Sequence, residues 1–561
     1  MVRLPSARSN LDLDIAQILK DSKPLELVLA IYALGKKVFL RKKEKFQKNV
    51  IVREPRKERA DVLLVYPIWV TKAGRGSLQR MLPPLGILSI ASFLEAQNYE
   101  VHIVDLHAEE LSPEQFRQIV QKLQPRFVGI TVLSTHFTPA HFVAKICKDE
   151  IPDVKVYVGG VHAEAEPEQM LRSPWIDAVV RGDGEAPMLE LVQQKPYEEI
   201  LGLSYRNAAG IRHNPLRQLE KDLDKFPLPA YHLIDFDNYF PPVGSYKDLP
   251  ALNVLMTRGC PGQCTFCNSA NTVLRYRSVD KMIELISMLR YRYGIRQIYF
   301  YDDTFTANAR TVEEFCHKMI AQKVDVRWIC YVRADMFRES LAELMAKAGC
   351  HQVLIGVESG SDTIMKEIGK PIQKEKHYKM VKIAHKYGIE VRGSFIIGHL
   401  NETPTTLQET LDFAVKMDLD LFQCSVLTPY PGTQIFRQMK AANMLVHESY
   451  SLYGQNELVF KHPNLTYEEI QKFEKRIFFR FYMRPRIIVR QLFRLTRWNH
   501  VKDVVKTFYV LFIQGVSKDT GRNKLLNSWL EFDLGFLERS TIQPPKVPRL
   551  TYEVRQVEFE A

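Results

Sequence analysis

One stretch of the chain, Thr257-Arg-Gly-Cys-Pro-Gly-Gln-Cys-Thr-Phe-Cys-Asn268, decides the fold, and it follows directly on an apolar run at 251–256. Its three cysteines, Cys260, Cys264 and Cys267, have the spacing C-x3-C-x2-C. Thiolates this close together on one loop can bind three irons of a cubane iron–sulfur cluster and leave the fourth iron without a protein ligand. An iron with an open position can bind a substrate and pass it an electron, which a four-cysteine electron carrier cannot do.

In this motif the chain closely resembles the radical S-adenosylmethionine superfamily. The resemblance implies that the open iron chelates the amino and carboxylate groups of S-adenosylmethionine. One electron then cleaves the sulfonium and releases a 5′-deoxyadenosyl radical. The resemblance also implies that Phe266, which precedes the third cysteine, sits against the adenine. The alternatives are a zinc site or a chance spacing; zinc prefers four closed ligands, usually from two C-x2-C pairs, and the sequence contains no second pair.

Length and composition indicate a globular protein of about two to four domains, since the chain has 561 residues with 46% hydrophobic and 25% charged residues. The five other cysteines are scattered without the spacing of a disulfide framework, which favours a reducing cytosol. The sequence shows no signal peptide and no apolar run of roughly 18 residues, the length that spans a bilayer. We therefore expect a cytoplasmic protein, with the inner face of the membrane as an alternative location.

Strands and helices alternate twice along the chain, which predicts an α/β fold with two units. The first unit, 57–200, is expected to form a doubly wound parallel sheet. The second, 250–460, has six strand–helix units, enough for a partial barrel but not for a full eight-unit barrel. Three further parts are predicted: a basic helical segment at 1–56, a linker at 201–249, and a helical C-terminal region with an extended tail at 461–561. The linker is expected to contain a small hairpin near 205–213. The barrel strands are expected at 252–256, 297–301, 326–331, 352–357, 391–397 and 421–427.

The first unit resembles the cobalamin-binding domain that precedes the barrel in a large subclass of radical S-adenosylmethionine enzymes. The matching segments are Pro83-Pro-Leu-Gly86, Gly129-Ile-Thr-Val-Leu-Ser134, Val158-Gly-Gly-Val-His162, Pro167-Glu168 and Arg181-Gly-Asp-Gly-Glu185. Small residues at strand ends let the backbone approach a flat corrin and its nucleotide tail. The implied cofactor contacts are Ser134, Gly159, Gly160, Gly182 and Glu185. A Rossmann-like dinucleotide site is the alternative, but the first strand lacks the Gly-x-Gly-x-x-Gly turn.

One further match in this unit is rejected. Asp105-Leu-His107 is similar to the Asp-x-His-x-x-Gly motif whose histidine binds cobalt from below in cobalamin mutases, but position 110 is Glu. The motif also belongs after the first strand, whereas this copy follows the second. We therefore expect no cobalt ligand from His107, and we expect the loop at 67–82 to face the corrin instead.

Functional residues of parallel barrels lie at the carboxyl ends of the strands, and the second barrel strand ends in Asp302 and Asp303. Cobalamin-dependent relatives have an acidic pair at this place, near the substrate's amino group. The resemblance therefore predicts a catalytic role for one of the two aspartates. The alternative is a helix N-cap.

Arg333 ends the third barrel strand, and Glu358 and Ser359 end the fourth. In relatives, the positions that match Arg333 and Glu358 hold the methionine carboxylate and the ribose hydroxyls. A guanidinium suits a carboxylate because the two can pair through two parallel hydrogen bonds. Ser359 is a further expected cofactor contact. The alternative is a structural ion pair between Arg333 and Glu358.

The fifth barrel strand leads into Gly398-His-Leu-Asn-Glu402-Thr, where relatives more often have Gly-Leu-Pro-Gly-Glu-Thr. Gly398 is expected to allow close approach of the backbone to the nucleoside. The departures at His399 and Asn401 leave the shape of this loop open. Cys330 and Cys424 are interpreted as core residues, because the additional triad that a second cluster needs is missing.

The net charge of +12 is concentrated near the two ends of the chain. Residues 36–48 contain seven Lys or Arg against one acid, and 472–506 contain eleven against two. In the second segment Arg486, Arg490, Arg494 and Arg497 share a helical face by their spacing. The favoured interpretation is a helix in the plane of a membrane with its cations toward lipid headgroups. The alternatives are a cap packed under the barrel with its arginines in solvent and, least favoured, a nucleic acid contact.

These patterns together predict a cobalamin-dependent radical S-adenosylmethionine enzyme with one 4Fe-4S cluster. The expected reaction is methyl transfer from methylcobalamin to an unactivated carbon of a small-molecule substrate, with a lipid or other membrane-partitioned molecule as the first guess. A reductant such as flavodoxin or ferredoxin is the expected electron donor. The rival reaction is oxidative cyclisation or rearrangement without methyl transfer, as in the oxygen-independent porphyrin ring cyclase. A non-catalytic cobalamin and iron–sulfur binding protein is a third alternative, against which the intact triad argues.

Overall fold

The computed structural model describes residues 59–493, apart from 70–80, 243, 447–449, 451–452 and 455–457, together with 525, 528 and 529. Residues 525, 528 and 529 are helical, although this stretch was predicted to be extended. The predicted N-terminal helical segment and the rest of the tail lie outside the described residues. So do Arg494 and Arg497 and most of the loop that is expected to face the corrin.

In the part of the chain that the structure describes, the first sheet has seven strands in the order β2-β1-β3-β4-β5-β6-β7. The first five are parallel, and β6 and β7 are an antiparallel hairpin that extends one edge. The strands are β1 Val62–Tyr66, β2 Val101–Asp105, β3 Phe127–Thr131, β4 Lys155–Gly159, β5 Ala178–Val180, β6 Leu203–Asn207 and β7 Gly210–His213. The parallel order 2-1-3-4-5 is that of flavodoxin-like doubly wound sheets, which bind ligands where β1 and β3 diverge.

Helices cover both faces of this sheet. They are α1 Leu85–Glu95, α2 Pro113–Leu123, α3 Phe137–Glu150, α4 Val161–Ala165, α5 Pro167–Leu171 and α6 Glu185–Val192. Helices α1 and α6 pack in the core on one face, and α2 and α3 pack in the core on the other. The start of α2 is set locally, because Ser112 and Gln115 form a capping box and proline follows the cap.

The second sheet contains six parallel strands in the order β15-β14-β13-β12-β11-β8 within the described residues. Its edge strands β8 and β15 do not pair with each other there, so the barrel is open, as predicted. The strands are β8 Ala251–Val254, β11 Gln297–Phe300, β12 Arg327–Val332, β13 Cys350–Glu358, β14 Glu390–Ile397 and β15 Leu421–Val426. All six expected strands are present, with ends that differ by at most two residues.

A two-stranded ribbon and a layer of helices complete this unit. The ribbon consists of β9 Thr257–Arg258 and β10 Arg275–Tyr276, which pair antiparallel. The helices are α7 Val279–Tyr293, α8 Ala309–Ala321, α9 Glu339–Lys347, α10 Asp362–Glu367, α11 Lys374–Lys386, α12 Pro404–Lys416 and α13 Gln434–Ala441. One hydrophobic core includes side chains from both α/β units, among them Leu64, Ile87, Leu252 and Val254. The two α/β units are therefore packed against each other.

The C-terminal region packs on the open edge of the barrel. Helix α14, Tyr467–Tyr482, lies beside β15, and the rings of Phe481 and Phe422 stack with centroids 4.9 Å apart. Helix α15, Pro485–Phe493, follows and begins at a proline. No described helix is both long enough and apolar enough to cross a bilayer.

Two features of the fold differ from the sequence-based expectation. Strand β5 was not predicted, because three residues are too few to show an alternating pattern. The hairpin near 205–213 is present, but it belongs to the first sheet, where β6 pairs with β5. A hairpin placed by its turn alone gives no sign of which sheet it joins.

Candidate active site

The three predicted cysteine ligands lie on one loop whose two ends are tied together. The loop runs between β9 and β10, where Arg258 is paired with Arg275 across the ribbon. Within the loop, the Thr272 amide donates to the Cys260 carbonyl at 3.0 Å, and the Cys267 amide donates to the Cys264 carbonyl at 3.1 Å. All three thiols are partly exposed. Such a loop presents three soft thiolate ligands from a fixed backbone, which fits an iron–sulfur cluster.

Cations stand beside these thiols. Burial raises the pKa of Cys264, while the nearby charges of Lys370 and Arg333 oppose that rise. A nitrogen of Arg333 also lies close to the cysteine loop, 3.6 Å from where a β-carbon on Gly262 would stand. Positive charge at this place favours the deprotonated thiols that bind iron.

The two aspartates after β11 have different surroundings. Asp302 is fully buried, and its Oδ1 accepts hydrogen bonds from the Thr257 amide at 2.5 Å and the Thr257 hydroxyl at 2.7 Å. Burial raises the pKa of Asp302 to about 6, and these hydrogen bonds limit the rise. Asp303 is exposed and accepts a hydrogen bond from Ser269 in the cysteine loop at 3.0 Å. Neither residue caps α8, whose N-cap is Asn308.

Arg333 and Glu358 do not pair with each other. Arg333 binds both carboxylate oxygens of Asp335, at 3.2 and 3.0 Å. Glu358 accepts from the ammonium of Lys370 at 2.6 Å, and both side chains are buried. Glu358 adopts a φ of 64° after an irregularity in β13. The alternative of a structural Arg333–Glu358 pair is therefore wrong.

Glycine at position 356 leaves room for the Lys370–Glu358 pair. A β-carbon there would overlap Glu358 Oε1 and come within 2.5 Å of Lys370 Nζ. Sequence reasoning identified neither Lys370 nor Asp335, because a lysine or aspartate at the surface of a helix or loop looks the same as these two in the sequence. Ser359 has a different partner, since its hydroxyl lies 3.0 Å from that of Thr410.

The loop after β14 brings two rings together. Gly398 has a φ of 84°, and its amide and that of His399 donate to the buried carboxylate of Glu402. Burial raises the pKa of Glu402 to about 8 and lowers that of His399 to about 4. The His399 ring lies 6.3 Å from the ring of Phe266, between centroids. The departure from the common loop sequence therefore puts a neutral imidazole beside the aromatic residue of the cysteine motif.

A cavity of about 280 Å³ lies under the carboxyl ends of the first sheet. Glycines make up much of its wall, and Leu255 and Arg258 reach it from the barrel. The glycines are Gly86, Gly129, Gly159, Gly160, Gly182 and Gly184. A β-carbon on Gly129 would lie 2.8 Å from Leu64 Cδ2, and one on Gly160, where φ is 96°, would lie 3.1 Å from the Val132 backbone. A side chain at either position would therefore crowd neighbouring residues of the cavity wall.

The five residues predicted to contact cobalamin divide into two groups. Gly159, Gly160, Gly182 and Glu185 line the cavity, and their contact with cobalamin stays a prediction. Ser134 is not among the lining residues; it lies in the turn after β3, and its hydroxyl is 3.2 Å from His162 Nδ1.

His107 is engaged by the protein itself. Its Nδ1 accepts a hydrogen bond from the Trp69 amide at 3.1 Å, and the residue is buried. That His107 does not bind cobalt stays a prediction.

The described part of the predicted arginine stripe contacts the barrel. Arg490 pairs with Asp418 at 3.1 Å and with Asp420 at 3.0 Å, and Arg486 pairs with Asp418 at 2.7 Å. Ile487 beside them is buried. Two of the four arginines are thus ion-paired to the protein. Neither the membrane interpretation nor the alternative of a cap with its arginines in solvent predicted these ion pairs. Cys330 and Cys424 are buried in the core, as expected.

The fold and the sites together define the class. The chain belongs to the radical S-adenosylmethionine enzymes that carry a B12-binding domain. The Radical SAM superfamily model matches residues 254–414, and the B12 binding domain model matches residues 71–192. Its cofactors are accordingly a 4Fe-4S cluster, S-adenosylmethionine and cobalamin.

Particular relatives support this assignment. An uncharacterized methyltransferase of Pyrococcus horikoshii, PH0819, is 36% identical over 419 residues, which are 73% of this chain and 90% of the relative. The anaerobic magnesium-protoporphyrin IX monomethyl ester cyclase of Rubrivivax gelatinosus is 28% identical over 67% of this chain and 70% of its own. The fold also matches the structure of TsrM from Kitasatospora setae, a radical S-adenosylmethionine methyltransferase with cobalamin and a [4Fe-4S] cluster bound. The TM-score is 0.61 at 16% identity, covering 84% of this chain and 99% of that one.

Proposed function

We propose that this enzyme transfers a methyl group to an unactivated carbon of a small-molecule substrate. The observation that carries the proposal is the contact between the two cofactor sites. Arg258, two residues before the first cysteine of the motif, also lines the glycine-walled cavity of the first unit. When bound, the cluster supplies the electron that cleaves S-adenosylmethionine, and cobalamin supplies the methyl group. Adjoining sites suit a reaction in which one cofactor activates a carbon atom and the other alkylates it.

Residues around the cysteine loop are assigned to S-adenosylmethionine as follows. Arg333 binds the methionine carboxylate, since its guanidinium stands over the loop, and the exposed carboxylate of Asp303 binds the ammonium group. Asp302 has a structural role, because both of its oxygens accept hydrogen bonds from the strand that leads into the loop. Glu358, held by Lys370, contacts the ribose. Ser359 is left out of the set, because its hydroxyl is committed to Thr410 and to the Ser361 amide.

Phe266, His399 and Gly398 form the adenine side of the site. The two rings lie at one edge of the cysteine loop, and Gly398 leaves room for the backbone to approach a flat base.

The glycine-walled cavity is assigned to the nucleotide tail of cobalamin. A volume of about 280 Å³ lies below the range of about 300–1,000 Å³ that accommodates whole ligands, so it suits one part of a large cofactor. The corrin would then lie outside it, at the carboxyl ends of β1 and β3. His107 is not assigned to the cobalt, since its Nδ1 already accepts a hydrogen bond.

The barrel interior favours a polar substrate. Every second residue of β14 is partly accessible, while those between are buried against the helices. The accessible residues on this side of the barrel include Tyr331, Arg392, Ser394, Gln423 and Ser425. The expectation of a lipid substrate rested on the four arginines of the C-terminal helix. Because Arg486 and Arg490 bind aspartates of the barrel, these two arginines give no support for a lipid substrate.

A one-electron protein reductant of the flavodoxin or ferredoxin type completes the reaction. A cluster bound to the partly exposed thiols of the cysteine loop needs a reducing environment with little oxygen.

Anaerobic assays with candidate polar metabolites test the proposal. The reconstituted enzyme is incubated with S-adenosylmethionine, hydroxocobalamin and reductant, and 5′-deoxyadenosine and S-adenosylhomocysteine are quantified together. Methyl transfer requires both products in step with a methylated substrate. Formation of 5′-deoxyadenosine alone, with a cyclised or oxidised product, would favour the second candidate. That candidate is a radical cyclase, supported by the 28% identity to the magnesium-protoporphyrin ester cyclase. Cys264→Ala is the control that should give neither product.

A further inference from the structure

Two arginines stand at the two ends of the cysteine loop. Arg258 lies on β9, just before the loop begins, and Arg275 lies on β10, just after it ends. The two residues are partners in the register of the ribbon. Residues that bind both arginines therefore fix the two ends of the cysteine loop.

Both arginines reach into the first unit and bind the segment that runs from the end of β5 to the first residue of α6. Arg275 pairs with both oxygens of Asp183, at 2.5 and 3.2 Å. Arg258 pairs with Glu185 at 2.6 Å and lies 3.4 Å from Asp183. Arg275 is 6% exposed and Glu185 is 2% exposed. We call these four residues the loop-anchoring network.

The same network forms part of the wall of the glycine-walled cavity. Asp183, Glu185 and Arg258 are all among its lining residues. Ser89 of α1 supports the wall, because its hydroxyl donates to Glu185 at 2.7 Å. One set of charges thus borders the cavity on one side and fixes the cysteine loop on the other.

We propose that Asp183 and Glu185 are positioning residues that couple cobalamin binding to the order of the cluster loop. This rests on the assignment of the cavity to cobalamin. Assembly of the cluster orders the loop, which fixes Arg258 and Arg275 and through them the cavity wall. Cobalamin then binds to a wall that is already ordered, so its binding costs the protein less conformational entropy. Because such coupling is reciprocal, bound cobalamin also favours the ordered cluster loop.

The chain contains a matched control for simple docking of the two units. Lys440 of α13 pairs with Glu166 at 3.0 Å, which also joins the barrel to the first unit. Lys440 is 59% exposed, and neither residue lines the cavity. A variant at Glu166 loses an ion pair between the units without touching the loop-anchoring network.

The experiment measures affinity for hydroxocobalamin by anaerobic equilibrium dialysis of the full chain, without cluster and after reconstitution. In the wild type, the reconstituted form should bind about tenfold more tightly, within the range of about 5–150-fold that is common for coupled sites. In Glu185→Gln and Asp183→Asn the ratio should fall to about two or less. Arg275→Lys keeps the charge but loses the second hydrogen bond, and should give an intermediate ratio. Glu166→Gln should keep the wild-type ratio. Iron and sulfide are counted in every sample.

Several results would overturn the proposal. These are a wild-type ratio near one, an unchanged ratio in Glu185→Gln with full iron content, or an equal loss of the ratio in Glu166→Gln. If Glu185→Gln does not fold, Arg275→Lys decides the question, because it retains the cation. Absence of hydroxocobalamin binding in either wild-type form would overturn the cavity assignment and this proposal with it. Methyl transfer is judged separately, from the products of the activity assay.

Discussion

Replacing Lys370 with Met should destabilise the barrel far more than an exposed substitution does. The Lys370 ammonium lies 2.6 Å from Glu358 Oε1, and the two side chains are only 10% and 8% exposed. Removing one member of a buried ion pair costs about 3–5 kcal/mol, because the other charge is left buried without compensation. Met keeps most of the volume of the lysine stem, so the loss reports on the charge and not on a cavity.

Urea denaturation of the cluster-free protein, followed by circular dichroism and tryptophan fluorescence, measures this effect. With a urea slope of about 3 kcal/mol/M, the midpoint of the barrel transition should fall by about 1 M or more. The double variant Lys370→Met/Glu358→Gln should regain most of the loss, since no unpaired charge remains in it. Lys347→Met is the control; it breaks a pair with Glu343 in which the lysine is 63% exposed, so its midpoint should stay close to that of the wild type.

The reasoning is refuted if Lys370→Met unfolds at the wild-type midpoint, or if the double variant is no more stable than the single one. The first result would mean that the carboxylate is solvated or moves to another partner. The second would mean that the loss comes from packing and not from the unpaired charge.

Three further outcomes are expected. Cys264→Ala should abolish cleavage of S-adenosylmethionine, whereas Cys330→Ala should leave about four irons per chain; a wild-type iron count near eight that falls to four in Cys330→Ala would contradict the single cluster. His107→Ala should leave the affinity for hydroxocobalamin and its visible spectrum nearly unchanged, and loss of binding in dialysis would identify the histidine as a ligand. Burial alone would raise the pKa of Asp420, but the hydrogen bond and charge of His385 hold it below its usual range. Because that folded-state pKa is depressed, the stabilisation is complete above the unfolded value of about 3.9 and is lost as the pH falls through the folded value. The difference in Tm between wild type and Asp420→Asn should therefore shrink below about pH 4, and a constant difference from pH 7 to pH 3 would contradict the assignment.

Much of the fold could be predicted because its signals are local. The six barrel strands appear as short apolar runs at regular intervals, and their ends were placed to within two residues. The strand-end glycines of the first unit were identified for the same reason. A glycine after a parallel strand indicates a place where the backbone can approach a ligand closely. Strand β5 was missed because its three residues carry no period of their own.

The candidate site was predictable in its residues but not in its pairings. Arg333 and Glu358 were both singled out, and the structure gives each a partner that was not considered. A catalytic role was predicted for either Asp302 or Asp303. Asp302 accepts hydrogen bonds from the backbone of Met256 and Thr257, whereas Asp303 is exposed. A carboxylate that follows a strand has the same sequence signature whether it turns toward the ligand or back toward the protein.

The sequence by itself determined the class of this protein: two α/β units, a cysteine loop with three thiols, and glycines that mark a cofactor domain. These features follow from spacing and periodicity, which are properties of short segments. Only the tertiary structure decided that Arg258 and Arg275 bind Asp183 and Glu185, across 73 and 92 positions of the chain. The physical reason is that ion pairing depends on distance in space, and the chain offers each arginine dozens of acids with nothing local to choose among them. Packing of the two sheets makes that choice, and with it places the wall of one cofactor site against the loop of the other.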